Sequence, residues 1–409
     1  MDVNKVLAFI LLCFFINGSF VAVFSSVFGS SELVADSWTT KAPMNYPRFG
    51  LGVVAVDGKI YAIGGDISAG YHAVGANECY DPVYDTWVAL KSMSTPRYDF
   101  AIAAYQGKIY CIGGYSHDAN NNLDKWVVNE MYDTVSDSWR TKTSSPVIGV
   151  QNAQVIDGNI FVLSGQDLFM YDPVKDLWTE KTRMPDELDS LYTGQGFSAV
   201  VDNKIMVLYS HFTSFSSPTK NRIVTYDPIA DTWSEKDGYP SAYGANGGGV
   251  GVSTGRFAPQ KVYAFWARNA FVYEPIHNTW SATKTLPTVR WGFGVAVVDD
   301  ILYVIGGYTY IYPDVLGSPS EPCSVNEQYV PFGYSSTPLT SEPSITVTPT
   351  SSDSFIFSEP EPSETAKSFL NNPVTVVTIV LIIGTIVTTS LFFYMQKIRK
   401  ETKYGKCNL

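Results

Sequence analysis

Six tryptophans, Trp38, Trp87, Trp139, Trp178, Trp233 and Trp280, close six copies of one residue pattern, with 39 to 55 residues between consecutive copies. The fullest copy reads Pro47-Arg48, Asp57-Gly58-Lys59-Ile60-Tyr61, Gly64-Gly65, Asn77-Glu78, Tyr80-Asp81-Pro82 and Asp85-Thr86-Trp87. Self-similarity at a period near fifty residues restricts a chain to architectures that stack one supersecondary unit many times, each unit burying its apolar face on the next.

Each copy spells four short strands. The run from Gly52 to Val56 passes through Asp57-Gly58 into Lys59 to Ile63, an apolar pair joined by a hairpin turn. Gly64-Gly65 ends the second strand, a third surrounds Asn77 to Tyr80, and the turn Asp81 to Asp85 delivers a fourth that opens on Trp87, whose indole is sized to fill the gap between sheets. Equivalent turns recur at Gln106-Gly107, Asp157-Gly158, Asp202-Asn203 and Asp299-Asp300 after first strands, and at Asp172-Pro173, Asp227-Pro228 and Glu274-Pro275 after third strands. The Trp38 copy lacks three strands before it, and the last unit, Val295 to Tyr329, lacks a Trp strand after it. The two fragments complete one another, so Trp38 to Lys41 is expected to be the outer strand of the sixth unit, closing the ring and removing an open edge.

These motifs resemble the kelch-repeat family over roughly residues 34 to 333. The resemblance implies an all-β fold: a six-bladed kelch-type β-propeller closed by an N-terminal outer strand. Blades 1, 2 and 6 keep the family's double glycine as Gly64-Gly65, Gly113-Gly114 and Gly306-Gly307. Blades 3, 4 and 5 depart from it with Ser164-Gly165, Tyr209-Ser210 and Phe265-Trp266. Similar propellers serve as peptide-binding modules, actin-associated proteins, sugar epimerases and copper oxidases, so the resemblance constrains fold more than function.

The 409 residues are 45% hydrophobic, enough for a large core, and carry a net charge of −11. With no basic stripe, nucleic acid is not an expected partner, since phosphate neutralisation supplies most of that affinity. Residues 1–30 read as a signal peptide: Lys5, an apolar run from Val6 to Ile16, then small residues, with cleavage expected between Gly18 and Ser31. Asp2 offsets Lys5, which leaves an uncleaved anchor as the alternative. The propeller is assigned to residues 31–334, and residues 335–370, rich in Ser, Thr and Pro with interspersed carboxylates, are expected to form a disordered stalk. Residues 371–395 contain the uncharged stretch Val374 to Tyr394, which at about 1.5 Å per residue spans roughly 31 Å, a hydrocarbon core. One C-terminal transmembrane helix is therefore expected. Lys397, Arg399, Lys400, Lys403 and Lys406 in the tail 396–409 place it in the cytoplasm, giving a single-pass cell-membrane protein with its N-terminal propeller outside. Of five cysteines, Cys79 and Cys111 read as buried fillers and Cys323 as an exposed thiol.

Candidate site residues fall into two groups. Arg48, Arg97 and Arg290 precede the first strands of blades 1, 2 and 6, and the same three blades carry Glu78, Glu130 and Glu327 two residues before the third-strand Tyr, where the others have Phe169, Val224 and Phe271. Their joint occurrence reads as a buried structural ion pair within each blade, with bidentate geometry. The second group lies on long connections between second and third strands, which share one face of the ring with the blade-to-blade connections. Tyr71, His72, Tyr115, His117, Trp126 and Tyr308 belong to these loops, beside Phe212, Phe215, Tyr310 and Tyr312. Tyr98, Asp99 and Trp291 at strand entries, with Trp266 and Arg268 of blade 5, are expected to line the central mouth. Side chains tucked onto their own blades are the bland alternative.

His72, His117, His211 and His277 form no metal-ligand pair, so neither a metal nor any other cofactor is expected, and the set of ligands that a copper oxidase of the galactose oxidase type needs is not assembled. The expected function is an anchored recognition module for a protein or glycan ligand outside the cell. The alternative is a carbohydrate-active enzyme similar to kelch-type sialic acid epimerases, with Asp99 or His117 as general acid or base.

Overall fold

The computed structural model describes residues 36–339 except 69–71, 119, 121, 151, 186–196, 212–219, 239–247 and 311–319. The expected signal peptide, the stalk beyond residue 339, the transmembrane helix and the basic tail lie outside the described residues. Among those described, no helix is long and apolar enough to cross a membrane.

The chain builds six four-stranded antiparallel sheets. Blade 1 runs from the axis outward as Gly52–Val56, Lys59–Ile63, Asn77–Asp81 and Thr86–Leu90. Blades 2 to 5 begin on Ala101–Tyr105, Asn152–Ile156, Phe197–Val201 and Gly249–Ser253 and repeat that order. Each inner strand packs against the inner strands of its two neighbours, and that of blade 6, Gly294–Val298, returns to blade 1. The first hairpins follow from their turn residues: Asp57 and Gly58 have φ of 49° and 75°, and the turns at 106–107, 157–158, 202–203 and 299–300 likewise hold two consecutive positive φ values. That is the twist-matched type I′ connection.

Blade 6 takes its outer strand from the other end of the domain. Ser37–Lys41 pairs antiparallel with Asn326–Val330, Trp38 opposite Tyr329. In blades 1 to 4 an aspartate (Asp85, Asp137, Asp176, Asp231) accepts the third-strand tyrosine hydroxyl and a backbone N–H of the preceding outer strand. Asp36 repeats this role for blade 6, accepting Tyr329 and Thr283 hydroxyls. Five closing indoles also reach across a blade boundary, Trp87 to Ala42 O, Trp139 to Lys91 O, Trp178 to Thr143 O and Trp233 to Thr182 O, and Trp38 does the same to Lys284 O at 2.9 Å. The N-terminal segment thus carries a full copy of the inter-blade tie.

Among the described residues an apolar cluster fills each of the six blade boundaries, and a small seventh, Met184 with Val224, adds to that of blades 3 and 4. Ile63, Phe100, Cys111 and Tyr132 fill the junction of blades 1 and 2, and Phe265, Phe293 and Tyr329 with Trp38 fill that of 5 and 6. Cys79, Cys111 and Cys323 are all free thiols. Burial pushes the Cys111 thiol up to about 12, a buried and inert group. Cys323, expected to be exposed, is half-buried with its thiol on Gly306 O at 3.4 Å, because its loop folds back along the double glycine. The chain also stays on the ring past residue 334. Ser335 N donates to Phe257 O and Leu339 N to Arg256 O, both at 2.7 Å, so these residues lie along blade 5.

Candidate functional site

The three blades that keep the double glycine are neighbours, in the order 6, 1, 2, and they build the mouth of the axial channel together. In each, an arginine turns into its own blade. Arg48 donates from Nη2 to Glu78 Oε2 at 2.7 Å and to Ala62 O at 3.0 Å, and from Nη1 to Ala76 O at 3.1 Å. Arg97 meets Glu130 and Cys111 O, and Arg290 meets Glu327 and Val304 O. All three guanidiniums have 0% exposure. Burial lowers the Arg48 pKa to about 10, against the opposing pull of Glu78. The pairs differ from the bidentate expectation: one arginine nitrogen meets one carboxylate oxygen. The second Glu78 oxygen is held by the Asn45 N–H and amide, and that of Glu327 by the Thr288 hydroxyl. Further Nη donors go to main-chain carbonyls, while each Nε is buried without a hydrogen-bond partner, so these residues clamp the blade and do not face the mouth.

The residue after each arginine zips onto the residue after each double glycine. Phe49 exchanges backbone hydrogen bonds with Asp66, Tyr98 with Tyr115, and Trp291 with Tyr308, at 2.8 to 3.0 Å. The second glycine permits this approach, since a Cβ at Gly307 would lie 2.6 Å from Trp291 O, too close to accommodate. One residue further, Gly50 N donates to Gly292 O and Asp99 N to Gly50 O, both at 2.8 Å, linking blades 6, 1 and 2 around the opening. The result is an aromatic rim: Trp291 stacks on Tyr308 at 5.9 Å, Phe49 meets Tyr308 edge-on at 5.3 Å, and Tyr98 lies between Tyr115 and His117.

Below the rim lies a cavity of about 220 Å³ lined by inner-strand residues of all six blades. Its wall is glycine, apolar side chains and the neutral polar groups of Asn152, Gln154 and Ser198, with Asp99 as the one charged residue among the described lining. Asp99 has φ of 47°, at the position where Gly50 and Gly292 have 60° and 63°. Burial, with the nearby Asp66 carboxylate, raises the Asp99 pKa to about 6. Asp66 is itself fully buried. Its Oδ1 accepts Ser68 N at 2.8 Å and His72 N at 3.1 Å, its Oδ2 has no hydrogen-bond partner, and burial raises its pKa.

Of the expected mouth residues Asp99 lines the cavity, while Tyr98 packs with Tyr115 and His117, and Trp291 with Tyr308, beside it. His117 Nδ1 sits 3.3 Å from the Tyr98 hydroxyl. Exposed His72 bonds to the Ser68 hydroxyl through Nδ1, and Trp126 donates to Ser116 Oγ within its own loop. Arg268 is exposed on blade 5. Trp266 departs from expectation: only 4% exposed, it stacks on Phe271 within the cluster between blades 4 and 5 and does not line the mouth. Its place on the inward side of a second strand, where the sister blades have glycine, puts the ring between sheets. Tyr71, Phe212, Phe215 and Tyr312 lie outside the described residues. Among the described residues no group of three His, Cys, Asp or Glu side chains could hold a metal ion.

Sequence reasoning missed Asp66, Phe49 and the polar wall of Gln154 and Ser198. A signal for Asp66 was present: it follows the double glycine of blade 1, where blades 2 and 6 have Tyr115 and Tyr308.

Comparison with known proteins bears on the scaffold. The Kelch motif model matches residues 47–94 and 96–146, the span of blades 1 and 2. Kelch-like protein 25 of Xenopus laevis is 35% identical over 66 residues, 16% of this chain and 11% of that protein. Kelch-like protein terF of Aspergillus terreus is 22% identical over 202 residues, 44% of this chain and 42% of that protein. The chain spans less than half the length of these curated relatives. Among solved structures, that of YjhT superposes with a TM-score of 0.54 at 15% identity, covering 68% of this chain and 94% of that one, a likeness of fold. Together these matches support a kelch-repeat β-propeller.

Proposed function

We propose that this propeller is a recognition module that holds a protein or glycan ligand on the face where blades 6, 1 and 2 present their aromatic rim. Kelch propellers suggest protein-binding modules, and the observation that carries the reading here is the rim itself. Phe49, Tyr98 and Trp291 directly precede Gly50, Asp99 and Gly292 in the cavity lining and contact Tyr115 and Tyr308, so aromatic surface of the kind recognition sites use adjoins the opening. We further propose that the module is displayed outside the cell, tethered by the apolar segment 374–394 and the basic tail behind it.

Both parts are tested by probing unpermeabilised cells that express the full chain with labelled glycan and protein libraries. The expected result is saturable binding that falls about tenfold or more in a Tyr115→Ala, Trp291→Ala, Tyr308→Ala variant with an unchanged surface level, as expected for hot-spot aromatics. Equal binding by parent and variant sinks the assigned face. An antibody to the ring that stains only permeabilised cells sinks the assigned address.

The Asp99 carboxyl, raised to about 6 beside Asp66 and within reach of a ligand in the cavity, favours one second reading. A carbohydrate-active enzyme would use it as general acid or base, since a group titrating near working pH transfers protons well. Incubating the protein with a panel of reducing sugars and following anomer exchange by NMR decides this. The enzyme reading requires acceleration over buffer that is lost in Asp99→Asn, and a rate unaffected by that change removes Asp99 from the chemistry.

A further inference from the structure

The recognition reading leaves open what chemistry the axial cavity selects, and the inference here rests on that reading. We propose that the cavity accepts one cationic side chain, a lysine or arginine of a protein partner, with Asp99 as its counter-ion and the aromatic rim around its stem.

Three independent features converge on a cation. Asp99 is the one charged residue among the described lining of a 220 Å³ cavity whose other walls are glycine, apolar side chains and neutral amides and hydroxyls. No lysine, arginine or histidine lines it among those residues, in contrast to the Arg48, Arg97 and Arg290 carboxylate pairs nearby, which neutralise themselves. Behind Asp99 stands Asp66, 0% exposed, with Oδ2 lacking any hydrogen-bond partner. The two carboxylates feel one another, and although Ser68 and His72 N–H groups hold Asp66 Oδ1, no lysine or arginine among the described residues forms an ion pair with either. An unanswered buried carboxylate costs stability unless a partner supplies the opposite charge. Third, Asp99 occupies a left-handed position that its counterparts fill with Gly50 and Gly292, and its Oδ1 lies 2.7 Å from where a Cβ on Gly50 would be. Glycine would serve the backbone better there.

Cavity size and wall chemistry narrow the cation. Drug-sized ligand pockets run about 300–1,000 Å³, so 220 Å³ takes a single side chain more readily than an oligosaccharide. A divalent metal ion takes about six to eight oxygens for calcium, and one lining carboxylate with neutral amides is a poor cage for it. A Lys or Arg stem is long and apolar with a charged tip. It suits an opening bordered by the residues that precede Gly50, Asp99 and Gly292, namely Phe49, Tyr98 and Trp291, with Tyr115 and Tyr308 packed on them, where cation–π attraction would add to the counter-ion. Gln154 gives its amide N–H groups to Ser198 O at 2.8 Å and Ser198 Oγ at 3.1 Å, which leaves its carbonyl oxygen as a further acceptor.

The test titrates the full-length protein, in detergent, with a peptide series of fixed Gly-Ser frame and one variable central residue: Lys, Arg, citrulline, norleucine or Glu. Lys or Arg peptides are expected to bind at least about tenfold more tightly than the citrulline, norleucine and Glu peptides, with the preference lost in Asp99→Asn and in Asp99→Gly. Affinity for the basic peptides should fall as pH drops through about 6, where the Asp99 carboxyl takes up its proton. The other titratable groups around it are Asp66, whose pKa burial also raises, and the neighbouring His72 and His117. Both variants are expected to melt no lower than the parent, since each removes an uncompensated carboxylate and glycine also relieves the left-handed backbone. Lost binding therefore cannot be lost folding. Equal affinity for Lys and norleucine peptides, or a preference that survives Asp99→Asn, overturns the proposal. Ethylammonium or free arginine binding as tightly as the peptides overturns the protein-partner part of it. If rim variants abolish a library ligand that shows no charge preference, the recognition reading stands and the cationic assignment alone falls.

Discussion

Deletion of residues 31–45 is expected to cost the ring its cooperative fold, or to lower its melting temperature by more than about 10 °C. The segment holds the whole outer strand of blade 6 in a five-residue register with Asn326–Val330. It also holds Asp36, which accepts two hydroxyls, and Trp38, which bonds Lys284 O and packs on Tyr329 and Phe265 at centroid distances of 4.9 and 5.6 Å. Met44, 3% exposed, goes with it and leaves a hole between blades 6 and 1. Trp38 is half-buried, so its loss costs less than the roughly 3–5 kcal/mol of a fully buried tryptophan, but the lost strand and Met44 add to it, and at roughly 2–4 °C per kcal/mol the sum accounts for the shift. The deletion also bares Asn326–Val330 as an unpaired edge that invites aggregation. Thermal unfolding of the truncated and intact proteins, followed by near-UV circular dichroism and light scattering, gives the answer. A truncated ring that melts with the parent would mean that blade 6 is completed by other residues.

Glu78→Gln is expected to destabilise by about 3–5 kcal/mol, the penalty for stranding a buried charge. Glu78 is 1% exposed and serves three donors: Arg48 Nη2 on one oxygen, and the Asn45 N–H and amide on the other. Glutamine preserves the shape but offers one acceptor oxygen and an NH2 group. Whichever way it turns, a donor faces a donor while Arg48 keeps its charge at 0% exposure. Urea unfolding of single and double variants separates the effects. Arg48→Leu with Glu78→Leu together should cost clearly less than the sum of the two single changes, the mark of a coupled pair. A Glu78→Gln protein as stable as the parent would remove the clamp from the account of this fold.

The scaffold was legible because its signals are local and repeated. Asp57-Gly58 and its four counterparts fix hairpins through backbone conformation alone, and each closing tryptophan marks an outer strand whatever its neighbours are. The joint appearance of Arg and Glu in blades 1, 2 and 6 also located residues that meet within each blade, but not the geometry of their meeting. Whether the second carboxylate oxygen faces arginine or Asn45 depends on a loop that no pattern in the copies describes. The site was less legible for a related reason. Trp266 reads as a mouth residue from its position in the repeat, yet a large ring at a glycine position is drawn between sheets. Asp66 and Asp99 each break the pattern where sister blades hold Tyr and Gly, and only closure of the ring brings the two breaks to one place.

The path of the chain out of the ring sets how it answers a pull. Traction applied beyond Leu339 first meets the two main-chain bonds that tack Ser335 and Leu339 to blade 5. Once these sacrificial bonds give way, the load passes into Asn326–Val330, which is flanked by Ile301–Ile305 on one side and Ser37–Lys41 on the other. Drawn along its own axis, that strand must slide past both neighbours, so the rungs on either flank resist in shear simultaneously and do not peel open singly. The first and last portions of the domain thereby share the strain, and a filament of forces crosses the ring through the seam that joins its two ends.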